Sequence, residues 1–90
     1  MLKKVDLTIQ GQTVALKRSE DADSRYFVYL GGFRTCEVLG GNKQWTVTSL
    51  TGRLQLQGTQ PTRKEAIRAY FEAFPAEVTR RFNEEEVTHA

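Results

Sequence analysis

A single histidine and a single cysteine leave the 90-residue chain short of the groups on which most catalytic and metal chemistry depends. Cys36 has no second cysteine to pair with. That excludes an intrachain disulfide framework and argues against a cysteine-based structural zinc site. It lies in a strand-like run with no histidine to activate it, so it reads as a buried structural thiol; neighbouring Arg34 could lower its pKa, which alone does not make a reactive cysteine. His89 adjoins Ala90, and a frayed chain end does not hold an imidazole to catalytic tolerance. Apolar runs fall far short of the ~20 residues of a membrane span. No charged-then-apolar signal opens the sequence, so a cytoplasmic location is expected.

Other partial signals end the same way. Asp21 and Asp23 have the spacing of a calcium-loop fragment but lack its glycine and closing glutamate. Glu84-Glu85-Glu86 would fan out around a helix instead of converging. Gly31-Gly32 and Gly40-Gly41 precede no helical pattern, so neither is a phosphate-binding loop. The expectation is a protein that is not an enzyme, with no cofactor and no metal.

What is present is an ordinary globular composition: 39% apolar and 27% charged residues argue against disorder. The length suits one domain over residues 1–90, burying about two-thirds of its unfolded surface. That leaves little room for the deep pocket of a small-molecule carrier.

Hydrophobic periodicity supplies the fold. Val5, Leu7 and Ile9 alternate with polar residues, and Val14 and Leu16 resume the alternation after Gly11-Gln12, predicting a hairpin over residues 4–18. Tyr26 to Leu30 and Phe33 to Leu39 flank Gly31-Gly32, which reads as a tight hairpin turn or as a bulge in one long bent strand. Gly40-Gly41-Asn42-Lys43 reads as a loop. Residues 44–50 and 53–57 alternate about a Thr51-Gly52 turn, giving the sharpest hairpin pattern in the chain. Thr62-Arg63-Lys64-Glu65 matches a capping box, and Ala66, Ile67, Tyr70, Phe71 and Phe74 then form one apolar stripe. Pro75 suits the first turn of a second, short helix over 76–86, where Val78 and Phe82 fall four apart and Arg81 can pair with Glu85. The predicted class is α+β: an antiparallel β-sheet of about five or six strands over 4–58, open or closed into a small barrel. A helical C-terminal segment over 62–86 follows, an amphipathic helix and a short second one.

Charge is unevenly spread. Residues 1–64 carry ten Lys or Arg against five Asp or Glu, and residues 65–90 carry three against six. A basic sheet followed by an acidic tail suits an acidic partner, with the tail limiting non-specific attraction. Gln44, Thr46, Thr48, Arg53, Gln55 and Gln57 project to one side of the predicted last hairpin, with Arg34 and Lys43 at its margin and no acidic residue within 44–58. Such side chains donate to phosphates and to base edges. Phe27 and Tyr29 alternate away from the predicted core face, a pattern that favours a protein partner or a homodimer.

The run Trp45-Thr46-Val47, the turn at Gly52, the strand over 53–57 and Thr62-Arg63-Lys64-Glu65-Ala66-Ile67 resemble a known arrangement. It is that of the three-stranded-sheet-plus-helix DNA-binding domains of plant ethylene-response factors and the arm-site-binding domains of tyrosine recombinases. The resemblance covers roughly residues 26–74. It implies a sheet that enters the major groove, braced from behind by the helix. Carried over by position, Arg34, Gln44, Thr46, Arg53 and Gln55 would face the groove, and Lys43 would contact a phosphate. The chain differs in its additional N-terminal hairpin, its sparser basic residues and its acidic tail. Nucleic acid is thus one expected partner, and a protein or a second copy the alternative.

Overall fold

The computed structural model describes residues 2–21 and 24–78. Strands β1 (Lys3–Ile9), β2 (Gln12–Arg18), β3 (Arg25–Leu30), β4 (Phe33–Gly41) and β5 (Gln44–Ser49) form one antiparallel sheet in the order β1-β2-β3-β4-β5. Helix α1 (Arg63–Ala73) and a 3-10 turn (Pro75–Val78) follow. The sheet is an open meander, which decides against the barrel. Its tight turns all use positive φ at both central residues: Gln10 and Gly11 at 49° and 79°, Gly31 and Gly32 at 60° and 90°, Asn42 and Lys43 at 50° and 63°. That turn geometry matches the right-handed twist of the flanking strands. Gly31-Gly32 is therefore a hairpin turn and not a bulge.

The inner face carries Leu7, Ile9, Val14, Leu16, Val28, Leu30, Cys36, Val38 and Val47, all buried. Against it lie Ala66, Ile67, Tyr70 and Phe71 of α1, with Leu56 and Val78. The helix begins where the sequence places it: the Thr62 hydroxyl accepts from the Glu65 amide at 3.1 Å. Two side chains tie its first turn to the sheet. Arg63 sets its guanidinium carbon 4.6 Å over the Tyr26 ring and 5.5 Å from that of Trp45. Lys64 donates to the Asp6 carbonyl of β1 at 3.4 Å. At the far end the buried Tyr70 hydroxyl donates to Glu77 at 3.3 Å, satisfying a carboxylate that would be costly to bury alone.

Three expectations change in detail. Gly40 and Gly41 belong to β4, and the loop shrinks to Asn42 and Lys43. Gly40 is needed there, since its φ is +141° and a Cβ would lie 2.1 Å from the Gln44 carbonyl oxygen. The strand predicted over 53–57 is reduced to isolated bridges, Thr48 with Gln55 and Trp45 with Gln60. These differ by two residues in register, so the chain loops out around Gly58, whose φ is +78°. The predicted second helix over 76–86 begins as the 3-10 turn at Pro75, and its remainder lies outside the described residues.

Candidate functional site

With α1 on one face, the other face of the sheet is left open by the described residues. Directly paired residues share a face, so the register reads this surface out. One row runs from β2 past β5: Lys17 of β2, Phe27 of β3, Glu37 of β4, Thr48 of β5 and Gln55 beyond it. A second row is Ala15, Tyr29 and Arg34, and a third is Arg25, Leu39 and Thr46. Gln44 adjoins them opposite Gly41.

Arg34 is on this face because of a bulge. Pairing runs Val28 with Cys36 but Tyr29 with Arg34, so Thr35 is an extra residue in β4. With Cys36 inward, unbroken alternation would turn Arg34 into the core. Thr35 absorbs the mismatch, being buried with its hydroxyl donating to the Val28 carbonyl at 3.2 Å. Arg34 then packs against the aromatic side chains of the open face. Its guanidinium carbon is 4.6 Å over the Phe27 ring and 5.7 Å from the Tyr29 ring centroid. Its Nε and Nη2 donate to the Tyr29 hydroxyl at 3.2 and 3.1 Å. Phe27, Tyr29 and Arg34 are each half-buried, and neither the N-terminal hairpin nor the 3-10 turn covers them. No carboxylate pairs with Arg34 among the described residues.

The residues singled out from sequence are thus partly gathered. Arg34, Gln44, Thr46 and Gln55 share the open face, together with Phe27 and Tyr29, which the sequence had assigned to a separate protein contact. Lys43 and Arg53 are exposed in loops at opposite ends of β5 and do not converge. Thr46 spends its hydroxyl proton on the Leu56 carbonyl at 3.3 Å, and Thr48 spends its own on the Ser49 carbonyl at 3.2 Å. Both hydroxyls remain only as acceptors toward a ligand. Sequence reasoning missed Lys17, Arg25 and Leu39 on this face. The signal was there, since Ala15 and Lys17, and Arg25, Phe27 and Tyr29, keep strict two-residue phase opposite the buried set. It also missed Glu37, which puts a carboxylate between Phe27 and Thr48.

Cys36 is fully buried on the inner face, away from Arg34. Its pKa is pushed up to about 12, chiefly by burial, with the hydrogen bond from Thr35 opposing and the charges of Glu77 and Glu37 adding. Cys36 is thus the buried structural thiol read from the sequence, and Arg34 does not lower its pKa. Among the described residues no three His, Cys, Asp or Glu side chains gather as a metal site, and no helix is long and apolar enough to cross a membrane.

The described residues form an α+β meander with one helix-covered and one open face. The chain matches no protein-family model, no curated protein and no solved structure.

Proposed function

We propose that this chain is a non-enzymatic binding module that engages nucleic acid through the open face of its sheet. One observation carries the reading: a half-buried guanidinium, Arg34, held on two aromatic rings with no carboxylate partner among the described residues. A cation fixed in this way is best neutralised by an anion from outside, and phosphate is the anion that guanidinium geometry suits. Lys17 and Arg25 on the same face, with Lys43 and Arg53 at its ends, supply further phosphate contacts. Gln44 and Gln55 supply amides that read base edges. The resemblance to sheet-based DNA-binding domains points to the same surface. A cytoplasmic location accords with this role.

The test is fluorescence anisotropy of labelled random-sequence oligonucleotides at low and high salt. Three to five phosphate contacts would give a shallow slope, about −2 to −4 in log K against log salt. Arg34→Ala should weaken binding about tenfold or more, the loss of a charged hydrogen-bonding partner. Absence of binding at low salt overturns the reading.

A protein partner or a second copy is the alternative, favoured by Ala15, Phe27, Tyr29 and Leu39 at the middle of the same face. Light scattering that shows a dimer, lost on Phe27→Ser or Tyr29→Ser, would replace the first reading with this one.

A further inference from the structure

We infer that the open face takes unpaired bases in preference to a duplex, with Arg34 on Phe27 and Tyr29 as the platform on which a base stacks. This rests on the nucleic-acid reading above and names the form of nucleic acid. Three observations carry it. The first is shape. Five strands about 4.8 Å apart span about 19 Å between the outer strand axes. A major groove about 12 Å wide admits a helix or a two-stranded ribbon, so this face is too broad to enter one whole.

The second is the side chains at its centre. Phe27 and Tyr29 lie on β3, the middle strand, where a groove-reading surface would carry long donors. Rings and guanidinium planes are the surfaces on which splayed-out bases stack. Arg34 already occupies one side of this aromatic pair, 4.6 Å over Phe27, and a base would add to the stack on its solvent side.

The third is hydrogen bonding. The Tyr29 hydroxyl accepts both Arg34 donors, so its own proton is left to donate. Thr46 and Thr48, in contrast, have already spent their protons on backbone carbonyls. The polar half of the face is therefore poorer in donors than its sequence suggests, and the aromatic half is richer. Stacking, backed by Lys17 and Arg25 along the phosphate chain, becomes the main source of affinity.

The experiment compares a labelled 12-nucleotide single strand with its matched duplex, each titrated over the same series of salt concentrations from low to high. It is run on the intact protein and on Phe27→Leu and Arg34→Lys. The single strand should bind about tenfold or more tightly. Phe27→Leu should weaken single-strand binding at least about fivefold, as loss of one stacking partner does, and leave the salt slope unchanged. Arg34→Lys keeps the charge but loses the plane, so it should weaken the single strand and spare the duplex. Circular dichroism of each variant shows that the fold is kept, and the comparison on the unsubstituted protein needs no variant. Equal or tighter duplex binding overturns this inference while leaving the nucleic-acid reading standing. Failure of both to bind at low salt overturns both.

Discussion

At the scale of single residues, burial and backbone conformation set what each group can do. Cys36 is legible from sequence as a buried thiol, because it falls in phase with Val38 on the inner face. Its raised pKa has a defined consequence. An unfolded thiol ionises near 9.0 and the folded one near 12. Its share of stability is complete below about pH 9 and erodes as pH rises toward 12, because the unfolded state releases its proton first. A thiol reagent should leave the native protein unmodified at pH 8 and react fully in denaturant. The denaturation midpoint should fall more steeply between pH 8 and 10 than in Cys36→Ala. Rapid native modification would contradict this. Lys43 offers an opposite case. Its φ of 63° is a conformation that favours glycine. Lys43→Gly should raise stability by about 0.5 kcal/mol while making the salt slope of oligonucleotide binding shallower by about 0.7. Calorimetry and salt titration would check the pair. A variant that folds better and binds worse separates the contact from the fold.

At the scale of elements, the sequence was readable where one physical signal acted alone. The capping box placed the start of α1, and its apolar stripe is the buried one. Pro75 opens the 3-10 turn as its fixed φ allows. Readability failed where two local signals competed. Leu54 and Leu56 alternate like a strand and do point inward, yet the two-residue slip around Gly58 leaves only isolated bridges to β5. Thr35 looked like any strand residue, and its bulge became visible only through the pairing of both neighbours. The join between α1 and the sheet was likewise invisible, because it depends on residues far apart in the chain. Arg63→Ala should destabilise the fold by about 1 kcal/mol, the worth of a partly buried cation–π contact. It should also shift the emission of Trp45, the only tryptophan. An unchanged midpoint and spectrum would show that the contact does not hold the helix in place.

At the scale of the whole molecule, one open face unites what looked like separate features. Read along the chain, the amides and threonines of residues 44–57 and the aromatics of β3 suggested different partners. The register lays them in continuous rows. The edges offer less. Edge strand β1 is interrupted by a register shift between Lys4 and Thr8 and carries Lys3 and Lys4, both features that discourage strand addition. The opposite edge is partly covered by residues 55–60. An exposed face between two blunted edges directs interaction to the face itself.

The most direct measurement is amide chemical-shift mapping during titration with a short single-stranded oligonucleotide at low salt. The largest shifts should fall on the row Lys17, Phe27, Glu37 and Thr48 and on Tyr29 and Arg34, while Ile67, Tyr70 and Phe71 of α1 stay still. Shifts confined to the helix side, or no shifts at all, would contradict the account.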